Sequence, residues 1–294
     1  MILPMSKDAD VDKQDHHSEK GTLYLVSTPI GNLGDLSQRA EQVLAQADVV
    51  AAEDTRVTRG LLTHLGLSKA LVACHQHNEQ ASAEGLMAAL AQGKRVALVS
   101  DAGTPGISDP GFAVVQAAIK AGFPVVPVPG ASAALAALIA SGIAPQPFYF
   151  GGFLPRQAKQ RRELLETLKG LQATLIFYES PHRVRECLAG LAQVLGPRQA
   201  CLARELTKIY EQLLRGTLEE LARAVFEERG EFTLVVAGAP EPAAPALLDL
   251  KPQELVAMLE QAMAEGKSRN QAVASVARAT GLSREEVYRQ AHGL

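Results

Sequence analysis

Short, continuously apolar runs separated by amphipathic stretches constrain this chain more than any other feature. The runs at 22–27, 49–52, 70–74, 95–100 and 124–128 have strand length and are bounded by turn residues. Between them, residues 79–91, residues 112–121 and the stretch carrying Ala40, Val43, Leu44 and Ala47 space their apolar residues at helical intervals. Such alternation predicts a mainly parallel sheet with helices on its faces, and it places ligand sites beyond the carboxyl ends of the strands.

The pattern restarts near Pro129-Gly130-Ala131. An Ala-rich helix over 132–141 leads to Phe148-Tyr149-Phe150 and a break at Gly151-Gly152. Beyond it, strands are predicted at 174–178, 199–203 and 232–237 and helices at 184–194 and 218–226, a set that admits antiparallel pairs. A Pro and Ala rich linker begins at Ala239, and helices at 252–264 and 269–279 follow, with Ser268 and Ser283 in N-cap positions and Gly281 at a bend. The expected organisation is a disordered leader over 1–20, two α/β domains over 21–130 and 131–240, and a small helix-turn-helix-like tail over 246–294.

A net charge of -3 excludes a uniformly basic nucleic-acid binder and leaves room only for a local basic face. No apolar run approaches the roughly 20 residues that span a bilayer, and the first 20 residues lack the apolar stretch of a secretory signal, so a cytoplasmic protein is expected. Cys74, Cys187 and Cys201 are odd in number and widely spaced, which predicts buried reduced thiols. His64, Cys74, His75 and His77 lack the spacing of a metal site, so no metal is expected.

The densest loop is Ser100-Asp101-Ala102-Gly103-Thr104-Pro105-Gly106-Ile107-Ser108-Asp109-Pro110-Gly111, between a strand and a helix. Its glycines let main-chain groups approach a ligand, and its carboxylates suit amino or hydroxyl groups. It has neither a Walker lysine nor GxGxxG spacing, which argues against ATP hydrolysis and Rossmann dinucleotide binding. Glu53-Asp54-Thr55-Arg56 follows the second strand and reads either as a polar-substrate contact or as a helix cap with a solvated arginine. Tyr178-Glu179-Ser180-Pro181-His182-Arg183 ends a later strand, with a similar choice between ligand contact and helix start. The stretch 151–162 holds Arg156, Lys159, Arg161 and Arg162 and no acid, so it reads as a phosphate-contacting arm or as a solvated helix face.

In one order, the chain carries STPIGNLGDLSQRA from Ser27, AEDTR from Ala52, SDAGTPGISDPG from Ser100, PGASA from Pro129, GGFLPR from Gly151, YESPHR from Tyr178 and ARELTKIYE from Ala203. Together they resemble the tetrapyrrole-methylase-like enzymes, in particular the branch that methylates small-subunit ribosomal RNA. The resemblance runs from about Thr22 to Gly238. It implies two α/β domains, S-adenosylmethionine held in the cleft between them, and a homodimer. It also implies that Pro29, Asp101, Gly103, Thr104, Ile107, Ser108, Ser132 and Ala133 contact the cofactor, with Tyr178 and Glu179 closing the cleft.

The implied reaction methylates the ribose 2′-hydroxyl of one cytidine in the decoding region of 16S rRNA, presented free or in the 30S subunit. For that reaction, Glu53, Asp54 and Glu179 are the candidate bases, and Arg56 and Arg183 are candidates to stabilise the alkoxide. Arg156, Lys159, Arg161 and Arg162 would follow the RNA backbone. A tetrapyrrole or corrin methyltransferase and a non-catalytic RNA-binding assembly module are the competing readings.

Overall fold

The computed structural model describes residues 21–75, 79–241 and 252–290. The expected leader, His77 and most of the expected linker fall outside these residues. The chain divides into two units, Met1–Gly238 and Ala239–Leu294.

In the first unit, β1 (Thr22–Val26), β2 (Val49–Ala52), β3 (Ala70–Ala73), β4 (Arg95–Val99) and β5 (Val125–Val128) form one sheet in the order β3-β2-β4-β1-β5, with every pairing parallel. Helices α1 (Gln38–Gln46) and α2 (Thr55–His64) pack on one face, and α3 (Glu79–Ala91) and α4 (Phe112–Lys120) on the other. Burial on both faces explains the continuous apolar character of β1. Its Tyr24 and Val26 join Val43, Leu44 and Leu62, while Leu23 turns to Leu86, Leu90 and Val114. Strand-to-helix turns are fixed by side-chain caps. Ser37 accepts a hydrogen bond from the Ala40 amide, and Asp54 accepts one from the Arg56 amide.

The second sheet has the order β6-β7-β10-β8-β9, from β6 (Phe148–Phe153), β7 (Thr174–Glu179), β8 (Gln199–Arg204), β9 (Gln212–Thr217) and β10 (Phe232–Val236). Only β6 and β7 run parallel; the other pairings are antiparallel. Two of these strands are absent from the sequence expectation. The Gly151-Gly152 pair does not end β6 but lets it continue through a register shift. A Cβ at Gly151 would come within 2.6 Å of the Phe177 ring, so glycine is what allows this strand to lie on that buried aromatic side chain. β9 is a half-buried edge strand whose QLLRGT sequence lacks clean alternation, and its pairing with β8 supplies what its own pattern does not.

Helix α5 (Ala133–Ser141) buries Ala134, Ala137 and Leu138 against Ile176, Cys201, Ala203 and Val235 of this sheet. Ile30, from the loop after β1, is buried in the same cluster. The other face is covered by α6 (Ala158–Leu168), α7 (Val184–Leu195) and α8 (Leu218–Arg223). The predicted helix over 218–226 stops at Arg223 because Ala224 turns to extended backbone. Phe226 instead packs edge-on against Phe232 and beneath the Arg185 guanidinium, 4.4 Å from its ring centre.

In the second unit, α9 (Pro252–Ala264), α10 (Arg269–Thr280) and α11 (Arg284–Gln290) close around Leu255, Leu259, Val273, Val276 and Val287. Ser268 and Gln271 form a capping box at the start of α10, and Gly281 ends it with φ +75°. Among the described residues, no helix is long and apolar enough to cross a membrane, and no group of His, Cys, Asp and Glu has the arrangement of a metal site.

Candidate active site

The loops after β1 and β4 are stitched together at the carboxyl edge of the first sheet. Thr28 and Gly103 exchange main-chain hydrogen bonds of 2.8 and 3.1 Å. The Thr28 hydroxyl donates to Ser100 O at 3.1 Å, and the Ser100 hydroxyl donates to Gly103 O at 3.0 Å. Thr104 reaches across to Ala131 O, which ties in the loop after β5. Gly103 takes φ +82°, a conformation L side chains rarely adopt, and Ser108 accepts the same region at φ +63°.

With the ends of β7 and β10, these loops enclose a cleft of about 410 Å³, a size suited to a small-molecule ligand. Asp101, Gly103, Thr104, Ile107, Ser108, Ser132, Ala133, Tyr178 and Glu179 line it, as does Glu53. Pro29 does not; the neighbouring Ile30 does. The Tyr178 hydroxyl accepts a 3.2 Å hydrogen bond from the Ala134 amide, and Phe150 and Phe153 hold its ring edge-on. Phe153, Asp109 and Thr233 also face the cleft, beyond the residues the family resemblance implies. Asp109 was legible in the dense loop; Phe153 was hidden by the assumed strand break, and Thr233 by an unremarkable strand.

Three carboxylates converge here. Burial, then the Asp101 charge, raises the Glu53 carboxyl above its usual range. Burial, then the charges of Glu53 and Asp101, raises Asp109 to about 7. Proximity of like charges favours one shared proton in this pair. Asp101 is oriented by the Asp54 amide, which donates to its Oδ1 at 2.9 Å.

Several candidates from the sequence are occupied elsewhere. Asp54 binds the Arg56 amide and guanidinium and is lowered to about 2, so it remains a carboxylate with little basicity. Arg56 itself extends into solvent with 88% of its side chain exposed. The Glu179 carboxylate has no exposed side-chain surface: it accepts from Cys187 Sγ at 2.6 Å, from the Ser180 amide at 2.8 Å and from Arg183 at 3.2 Å. Glu179 lines the cleft, as its expected place there requires, but its carboxylate is turned to these partners, which corrects its expected role as a base. Arg183 likewise spans from Glu179 to Leu154 O and Pro155 O, bracing the end of β6 rather than facing a substrate. Burial, then the nearby Glu179 carboxylate, pushes the Cys187 thiol up to about 12.

The basic arm divides in the same way. Arg156, Lys159 and Arg162 are exposed on α6 and its lead-in, but Arg161 is 4% exposed, paired with Glu186 and directed at Pro155 O and Arg156 O. The helical period turns that one cation inward, so the expectation of a free phosphate contact at Arg161 is wrong.

A cleft built from strand-end loops, glycine-floored and rimmed by acids, suits a small cationic ligand with a flat apolar portion. Residues 22–222 match the family model of tetrapyrrole (corrin/porphyrin) methylases, and the chain belongs to that family. It is therefore a methyltransferase, and S-adenosylmethionine is the cofactor of this class. Its relatives include the ribosomal RNA small subunit methyltransferase I of Halalkalibacterium halodurans, 48% identical over 276 residues, 93% of this chain and 96% of that protein. The protein of the same name from Bacillus subtilis is 51% identical over 224 residues, 76% and 77% of the two chains.

Among solved structures, the methyltransferase CobJ aligns with a TM-score of 0.58 at 22% identity, over 74% of this chain and 95% of that one. Uroporphyrin-III C-methyltransferase from Thermus thermophilus, complexed with S-adenyl homocysteine, aligns with a TM-score of 0.54 at 23% identity, over 74% and 97%. The cleft residues fit such a cofactor. The conformation of Gly103 brings the main chain to the cleft wall without a side chain, and the acids complement sulfonium and ammonium charges.

Proposed function

We propose that this methyltransferase acts on small-subunit ribosomal RNA, at the ribose 2′-hydroxyl of a cytidine in the decoding region of 16S rRNA. Identity of 43–51% to proteins named ribosomal RNA small subunit methyltransferase I carries the rRNA part of this reading. The cleft supports the chemistry. Asp101, Gly103, Thr104, Ile107, Ser108, Ser132, Ala133 and Tyr178 hold the cofactor in this reading, with Pro29 setting the turn that delivers Ile30. S-adenosylmethionine, when bound, supplies an electrophilic sulfonium methyl group.

A ribose hydroxyl is a weak acid, so transfer gains from a group that takes its proton as the oxygen attacks. Among the bases drawn from the sequence, Glu53 faces the cleft with no ion pair among the described residues, and Asp109, which also lines the cleft, couples to it as a second carboxyl. The Glu53 and Asp109 pair receives the proton, and a raised carboxyl lies nearer the pKa at which general bases work at neutral pH. Glu179, Arg183 and Cys187 keep Tyr178 and the end of β6 in place. Asp54 and Arg56 fix the start of α2. Arg156, Lys159 and Arg162 contact phosphates, and Arg161 anchors the helix that presents them.

Transfer of labelled methyl from S-adenosylmethionine to 30S subunits and to free 16S rRNA lacking the modification, with the labelled nucleotide mapped, tests the reading. Label on one cytidine ribose is the expected result. Cofactor binding with no label on either substrate would overturn it in favour of a tetrapyrrole acceptor.

A further inference from the structure

The phrase ARELTKIYE takes no part in the site above, yet it forms a closely tied turn in the second sheet. It joins β8 to β9, and within it Glu205 and Thr207 hold φ of +51° and +66° without being glycine. Such conformations persist only where surrounding bonds over-determine them. Here Glu205 Oε1 accepts from the Glu231 amide at 2.9 Å and from Lys208 Nζ at 2.8 Å, and Lys208 also pairs with Glu231 at 3.0 Å. The Thr207 amide donates to Glu211 at 2.6 Å, and Arg204 ties Tyr210 O to Arg229 O.

This frame fixes the turn at the rim of the cleft. Gly230 and Glu231 line the cleft itself. The stem of Lys208 lies so close on Gly31, beside the cleft residue Ile30, that a Cβ there would come within 2.4 Å of Lys208 Cγ. Having spent so much on rigidity, the turn then presents Ile209 at 91% and Tyr210 at 70% exposure. Arg229, in the segment bonded to the turn, keeps 84% of its side chain exposed and pairs loosely with Glu227 at 3.8 Å.

An exposed aromatic ring on a braced turn, with an exposed guanidinium on the segment hydrogen-bonded to that turn, is a combination that can stack an unpaired base and hold its phosphate. We infer that Tyr210, with Ile209 beside it in the chain and Arg229 on the segment tied to the same turn, is a nucleobase-stacking platform at the cleft rim for a single-stranded nucleotide next to the methyl acceptor. The inference rests on the rRNA reading. A second copy of the chain seated on the same apolar tip is the competing occupant.

Steady-state methyl transfer to 30S subunits with Tyr210→Ala, Tyr210→Leu and Tyr210→Phe variants tests the platform. Loss of base stacking predicts a rise in KM for 30S of about 5- to 150-fold in the Ala and Leu variants, with kcat and cofactor affinity close to wild type and Phe restoring binding. Tyr210→Trp adds the chain's sole tryptophan; its fluorescence is expected to be quenched by a short single-stranded oligoribonucleotide of decoding-region sequence. Wild-type KM in Tyr210→Ala, full rescue by Leu, or a tryptophan signal that depends on protein concentration without RNA would each overturn the platform. Transfer by wild type with no defect in Tyr210→Ala refutes the platform alone. No transfer by wild type refutes the rRNA reading and the platform with it.

Discussion

Replacing Asp109 by asparagine should make this protein more stable and less active, and the stability gain should depend on pH in a defined direction. Asp109 titrates at about 7 in the folded protein against 3.8 ordinarily, through burial and the charges of Glu53 and Asp101. A carboxyl whose folded pKa is raised contributes its full stability only below about pH 3.8, and that contribution is lost as pH rises to about 7. At about 1.4 kcal/mol per pH unit, the interval bounds the penalty at about 4 kcal/mol. The side chain is partly open to water, and the proton is shared with Glu53, which reduces the expected figure to about 1–2 kcal/mol at pH 8.

Asparagine keeps the shape, donates to Glu53 and does not titrate. Urea denaturation of wild type and Asp109→Asn should therefore show the variant ahead by about 1–2 kcal/mol at about pH 8 and by under half of that at about pH 5. Methyl transfer should fall by about 10- to 1,000-fold if the pair takes the hydroxyl proton. A variant no more stable than wild type at pH 8, or one with the same gain at both pH values, would refute the electrostatic account of the cluster.

Arg183→Ala should destabilise by about 3 kcal/mol, because it leaves the enclosed Glu179 carboxylate without its cation; thermal unfolding measures this. Gly103→Ala, at φ +82°, should cost about 1–3 kcal/mol and weaken S-adenosylmethionine binding measured by calorimetry, whereas Gly66→Ala, at a similar φ but away from the cleft, should leave that affinity unchanged. Lys159→Ala and Arg162→Ala should lower affinity for 30S and shallow its salt dependence without loss of stability, while Arg161→Ala should lower the melting temperature first. Cys74, Cys187 and Cys201 should resist alkylation at pH 8 until the protein unfolds, as mass spectrometry of labelled peptides would show.

The first sheet was legible because its central strands β1, β2 and β4 are buried on both faces and its helices on one, so period and burial coincide along the chain. The strand at 49–52 and the helix at 79–91 appear at the expected residues. The second sheet was less legible because β6 passes through two glycines and β9 lies half-buried at an edge, where composition says little. For the site, loop position and chemistry brought Glu53, Asp101 and Tyr178 to one cleft. What sequence spacing does not carry is which carboxylates face one another and which are engaged by neighbours. Asp54 and Glu179 differ from Glu53 in partners, not in residue type, and Arg161 differs from Arg162 only by a 100° step around a helix.

Ile30 leaves the first sheet and is buried among α5, Ile176, Cys201 and Val235 of the second. Swinging the two sheets apart would strip that side chain of its surroundings, so the packing that stabilises the fold also resists widening of the cleft. Under the proposed function, the conformational work of reaction then falls on the nucleic acid. A nucleotide must leave its stack and bring its sugar to a fixed pocket, which favours targets whose stacking is already weak over targets chosen by base sequence alone.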